Sequence, residues 1–127
     1  MFEPRAFEKV SASHLLRALK VNLIPGLILT KHIIPGMMER EWGRILNVTS
    51  IGIKFGGGSN SFAYSLSKYA MEFLPSDHKH WAAKNILINN LRLGVVKTRF
   101  HDRNPSKDLQ KRQSMIPMGR VAETLEV

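Results

Sequence analysis

The chain has 127 residues, the size of one domain, and its 43% apolar and 23% charged content excludes outright disorder. Nineteen Lys and Arg against ten Asp and Glu leave a net charge of +9, but the basic residues are scattered from Arg5 to Arg120 and their densest group (Lys97, Arg99, Arg103, Lys107, Lys111, Arg112) is diluted by Asp102 and Asp108; a solvated basic surface is expected rather than a nucleic-acid interface. There is no cysteine, which excludes disulfides, thiolate catalysis and cysteine-based metal sites.

The first ten residues, MFEPRAFEKV, lack the apolar core of a signal peptide, and the longest apolar stretches, such as residues 23–29, are too short to span a bilayer. A soluble cytoplasmic protein with no membrane partner is expected. Ser11 or Ser13 is placed to cap a helix beginning near His14, and Leu15, Leu16, Leu19, Leu23 and Leu27 recur at helical spacing. Pro25-Gly26 predicts a bend or break. Apolar character continues through Ile28, Leu29, Ile33 and Ile34 to Pro35-Gly36, followed by a short piece ending near Trp42-Gly43.

Residues 44–49 read as a buried strand, and 50–61 as a loop broken by Gly56, Gly57, Gly58 and Asn60. A second helix is predicted from about Phe62 to Lys84, kinked or split at Pro75, and a second buried strand over 85–91. Residues 93–95 form a turn; 97–127 are polar and basic, with short helical pieces at most. The helix–strand–helix–strand order with buried strands predicts an α/β layered fold with parallel strands. Two strands leave two open edges, so the 127 residues are expected to be a single partial domain within a larger sheet.

Tyr64 and Lys68 lie four residues apart, on one face of the second helix. An ammonium beside a phenol favours the phenolate, and a tyrosine so tuned moves a proton near neutral pH. Ser50 ends the first strand, where an α/β sheet presents its reactive groups, and the Gly-rich loop is long enough to bring its hydroxyl to Tyr64. The His78-x-His80 pair does not share a helix face, so no metal site is expected. The methionines (37, 38, 71, 115, 118) are expected to fill packing gaps.

These residues resemble the short-chain dehydrogenase/reductase family of the classical type over nearly the whole chain. Residues 43–50, GRILNVTS, resemble the strand ending in the family's catalytic serine; residues 63–68, AYSLSK, match its Tyr-x-x-x-Lys. Val21-Asn22-Leu23, with Thr30 beyond, resembles the helix supplying a fourth catalytic residue. Residues 85–98 resemble the strand and turn over the nicotinamide, and residues 116–120 the segment closing the substrate loop, here 99–120.

The resemblance implies a partial doubly wound, Rossmann-like sheet and an NAD(P)-dependent oxidoreductase acting on a small carbonyl or alcohol. Tyr64 is then the acid/base, Lys68 lowers its pKa and holds the nicotinamide ribose, Ser50 orients the substrate oxygen, and Asn22 keeps a water in a relay to Lys68. Gly94, Val96 and Thr98 join Tyr64 and Lys68 in contacting the cofactor, NAD or NADP. It also implies a homo-oligomer paired through residues 14–40 and 62–84.

The departures are specific. Leu93-Gly94 stands where the family has Pro-Gly, and Pro75 where it has an unbroken helix. No Gly-rich turn follows a strand to hold the pyrophosphate, and Gly56-Gly57-Gly58, which follows Ser50, is no substitute. The expectation is therefore the middle and C-terminal part of such an enzyme, in truncated form, inactive and unable to bind NAD(P) alone. The alternative is a non-catalytic remnant that acts as an oligomerisation or interaction module.

Overall fold

The computed structural model describes residues 3–99 and 109–127, and the chain divides into two compact units, Met1–Arg92 and Leu93–Val127. In the first unit, α1 (Ala12–Asn22) starts two residues earlier than the spacing predicts. Of the two candidate serines Ser11 is the cap: its hydroxyl accepts the His14 backbone N–H, while its own N–H donates to His14 Nδ1. Two otherwise orphaned donors are thus satisfied reciprocally.

The chain breaks at Leu23 and resumes as α2 (Ile24–Glu39), with Pro25 in its first turn, where a missing N–H costs nothing. The short piece after Pro35-Gly36 belongs to the same helix: α2 runs through Pro35 to Glu39. A proline there removes one backbone bond, and burial of Ile34 and Met37 on either side of it keeps the turn against the core. Together α1 and α2 form a helical run, Ala12–Glu39, that by length and composition matches a membrane span. This corrects the expectation that no stretch is long enough. His14, Arg17, Lys20, Asn22, Lys31 and His32 along the run, and the packing of Ile34 and Met37 with Ile86 of the sheet, fit a helix pair laid on a sheet.

Strand β1 (Gly43–Ser50) begins where Gly43 approaches Met37 so closely that a Cβ would overlap its side chain. It pairs with β2 (Ile86–Leu93) in a two-stranded sheet. The Gly43 N–H donates to the Asn85 carbonyl at 3.3 Å and the Thr49 hydroxyl to the Leu91 carbonyl at 3.4 Å, so the two strands run the same way. Parallel neighbours need a crossover, and α3 (Phe62–Ala70) and α4 (His78–Ala83) supply it. The helix predicted over 62–84 is therefore split, with Pro75 in the gap.

The register aligns Ile45, Asn47 and Thr49 with Ile88, Asn90 and Arg92 on the covered face. There the core of Ile34, Met37 and Ile86 forms, with Met38, Ile45 and Trp81 against it. Asn47 Nδ2 donates to Asn90 Oδ1 and to the Met71 carbonyl, and Glu72 accepts from the Thr49 hydroxyl and from two nitrogens of Arg92. These bonds tie the crossover to both strands. The other face carries Leu46, Val48, Leu87 and Leu91, which are 37–60% exposed. The strands are thus buried on one side rather than on both, because among the described residues the apolar core forms on the Ile45 face alone.

In the second unit, Val96 and Ala122 form a parallel bridge, closed by bonds from the Lys97 N–H to the Ala122 carbonyl and from the Ala122 N–H to the Val95 carbonyl. A short helix, α5 (Leu109–Ser114), lies between the two bridge residues in the chain. Of the substrate-loop segment expected at 99–120, residues 100–108 lie outside the described residues.

Candidate active site

Ser50 ends β1, and its Oγ accepts the Gly52 N–H at 3.1 Å, which turns the chain into a 3₁₀ turn, Ile51–Ile53. The loop that follows bends on left-handed residues: Gly56 and Gly57 both at φ 75°, and Asn60 at φ 61°. Only glycine adopts that region without penalty. A Cβ at Gly57 would also overlap the hydroxyls of Ser61 and Ser65 at the start of α3. The Arg5 N–H closes the loop onto the N-terminal segment by donating to the Asn60 carbonyl at 2.9 Å.

This folding brings Tyr64, in the first turn of α3, into a side-chain hydrogen bond with Ser50. One turn on, the Lys68 ammonium reaches back to β1 and donates to the Val48 carbonyl at 2.9 Å. Asn22, the last residue of α1, donates from Nδ2 to Ser67 Oγ at 2.9 Å, and the Ser67 hydroxyl, fully buried, donates to the Tyr64 carbonyl at 2.7 Å. The structure therefore joins Ser50 to Tyr64 directly, hangs Lys68 on the same strand, and ties Asn22 to α3 through the residue preceding Lys68. Gly94, Val96 and Thr98 lie in the second unit, Val96 in its parallel bridge.

Burial pushes the Tyr64 phenol above its ordinary value of 10.0, and the hydrogen bond with Ser50 opposes that rise only in part. Burial pushes the Lys68 ammonium below its ordinary value. The expected net lowering of the phenol by Lys68 is thus corrected: in this chain desolvation sets the direction, and Lys68 spends a donor on a backbone carbonyl. A phenol so placed holds its proton at neutral pH. Among the described residues no three His, Asp or Glu side chains gather as a metal site.

One group escaped the sequence reading. Glu3, Arg5, His14 and Arg17 line a cleft that Tyr64 borders. His14 and Arg17, three apart on α1, share a helix face, but no periodicity links them to Glu3 and Arg5, which the Arg5 backbone bond to Asn60 places beside them. Ser67 bonds to Asn22, 45 positions away, a contact that belongs to tertiary structure.

The donor set fits one end of a nicotinamide dinucleotide. A Tyr hydroxyl and a Lys ammonium with N–H groups beyond the one given to Val48 suit a ribose diol. The sequence holds no Gly-rich turn for the pyrophosphate.

A family model described as short chain dehydrogenase matches residues 2–109. The chain is 30% identical over 124 residues to the 3-oxoacyl-(acyl-carrier-protein) reductase FabG of Aquifex aeolicus, covering 97% of this chain and 50% of the relative. Its fold superposes on a Thermus thermophilus protein with a TM-score of 0.86 at 29% identity, covering 99% of this chain and 54% of that one. It also matches a Beutenbergia cavernae protein, described as an NAD(P)-dependent gluconate 5-dehydrogenase and crystallised with NADP, with a TM-score of 0.85 at 28% identity over 97% of this chain and 50% of that one. The chain spans about half the length of the curated relatives it matches.

Proposed function

The chain belongs to the short chain dehydrogenase family, and from that premise we propose that it carries the proton-transfer half of an NAD(P)-dependent oxidoreductase acting on a small carbonyl or alcohol. The observation that carries this reading is the hydrogen bond joining Tyr64 on α3 to Ser50 at the end of β1. A carbonyl oxygen placed between the two hydroxyls is polarised by Ser50 and receives the Tyr64 proton. In the reverse direction the phenolate takes the proton from an alcohol. A nicotinamide cofactor, when bound, supplies or accepts the hydride. Lys68, one turn from Tyr64, binds the nicotinamide ribose. Asn22 holds α1 to the catalytic helix through Ser67, with a water bridging toward Lys68. Gly94, Val96 and Thr98 serve the nicotinamide end of the cofactor.

The open sheet face with Leu46, Val48, Leu87 and Leu91 supports a place within a larger sheet. In this reading the 127 residues are the middle and C-terminal part of the family fold, cytoplasmic, with 99–120 shaping the substrate pocket, and they act as a homo-oligomer. The test is NADH- or NADPH-dependent carbonyl reduction by the chain together with polypeptide supplying the remaining strands. Tyr64→Phe removes the proton donor and should cost about 10²–10⁴-fold in turnover; retention of most of the activity would refute the assignment.

A further inference from the structure

The cleft beside Tyr64 carries more positive charge than its own acid neutralises. Its charged lining is Glu3, Arg5, His14 and Arg17. Arg5 Nη2 donates to Glu3 Oε1 at 2.9 Å, Arg17 Nη1 stands 3.6 Å from Oε2, and His14 Nε2 stands 3.7 Å from Oε1. Two permanently charged guanidinium groups and an imidazole thus face one carboxylate, and one of its three contacts is a hydrogen bond.

We propose that this cleft is an anion-binding subsite, and that with Tyr64 at its edge it selects carbonyl substrates bearing a carboxylate. The selection rests on Tyr64 as the proton donor; the anion binding does not.

Two details of the side chains argue for it. Arg5 Nε is buried and has no hydrogen-bond partner among the described residues, although Nη2 on the same edge is bonded. That edge is the fork a carboxylate takes bidentately, so the guanidinium holds a desolvated donor aligned with one already in use. His14 Nδ1 is occupied as an acceptor of the Ser11 N–H in the cap of α1. That leaves Nε2, the nitrogen that faces Glu3, as the ring's polar atom on the cleft side.

Glu3 is the sole acid in the lining and sits where an incoming anion would bind. It is a competitor for the subsite as well as its present neutraliser. The Arg5 backbone bond to Asn60 fixes this segment to the loop that leads into α3, which keeps the cationic wall beside Tyr64.

The experiment is calorimetric titration of the 127-residue chain at low salt with two oxo acids of different span, acetoacetate and levulinate, and with methyl levulinate as the neutral control. Saturable binding of at least one oxo acid is expected, with the ester weaker by about tenfold or more, as loss of one bidentate charge-assisted contact implies. Arg17→Gln, at a side chain 62% exposed, should weaken the acid by a comparable factor, with a thermal melt checking that the variant folds as the parent does. Glu3→Gln should tighten it several-fold.

The proposal is overturned if neither acid saturates, if the ester binds as well as levulinate, or if Arg17→Gln and Arg5→Gln leave the affinity unchanged; the cluster then only fastens the N-terminal segment. Tyr64→Phe separates the two readings. Acid binding that fails while turnover still depends on Tyr64 removes the subsite alone; binding that survives while turnover ignores Tyr64 removes the proton-donor assignment and the substrate selection that rests on it, and leaves the anion site.

Discussion

Tyr64 shows how one residue's surroundings decide its chemistry. Spacing alone pairs it with Lys68, and an adjacent ammonium would lower the phenol. In the folded chain, Lys68 donates to the Val48 carbonyl and burial raises the phenol above 10.0. The linkage has a definite sign. A group with a raised folded pKa contributes stability fully present below its unfolded pKa and lost as pH climbs through the folded value. Alkaline titration followed by phenolate absorbance, with Tyr64→Phe identifying the transition, should place Tyr64 ionisation above pH 10; a transition at or below 10 would contradict the burial seen here. Stability measured by denaturant over the same range should fall as Tyr64 ionises.

The loop between β1 and α3 sets the distance between the two hydroxyls. Gly57 is held at φ 75° against the hydroxyls of Ser61 and Ser65. Gly57→Ala meets both a strained backbone and an overlap at the start of α3, and should cost about 1–3 kcal/mol while displacing Tyr64 from Ser50. Chemical denaturation reads the stability, and the Tyr64 ionisation reads the displacement. Ser11 anchors the opposite end of the same architecture: Ser11→Ala should cost about 1 kcal/mol through loss of the cap on α1, and a thermal melt indistinguishable from the parent would remove that role. Pro35 shows the limit of local rules, since α2 passes through it once Ile34 and Met37 are packed.

Across the molecule, unsatisfied surface is the dominant feature. Leu16, Leu27, Ile28 and Leu29 along α1 and α2 are more than half exposed, Leu46, Val48, Leu87 and Leu91 on the open sheet face are 37–60% exposed, and patches of this kind favour association. Sedimentation should show a dimer or larger species, and a folded monomer at micromolar concentration would refute this. Cofactor binding by the 127 residues should be weak. Tyr64 and Lys68 reach only the nicotinamide end, and a few hydrogen bonds at about 0.5–1.5 kcal/mol each hardly offset the loss of freedom on binding. Fluorescence titration with NADH and NADPH should show no saturation in the micromolar range.

Local chemistry was readable in the sequence wherever it acts over a few residues. The order of elements, an irregularity at Pro75, the strand ending at Ser50 and the Tyr64–Lys68 turn all follow from periodicity, turn residues and helix spacing. The family resemblance names Ser50, Tyr64, Lys68 and Asn22 as one group. What required the tertiary structure depends on groups distant along the chain. The path of α2 through Pro35 is set by core packing. The one-sided burial of the sheet follows from which face the helices cover. The upward shift of Tyr64 follows from desolvation, which no sequence window records. The Glu3–Arg5–His14–Arg17 cleft exists because the Arg5 bond to the Asn60 loop holds the N-terminal segment beside α1 and α3. Propensity and spacing act between neighbours; burial and charge act through space, and only the fold decides who the neighbours are.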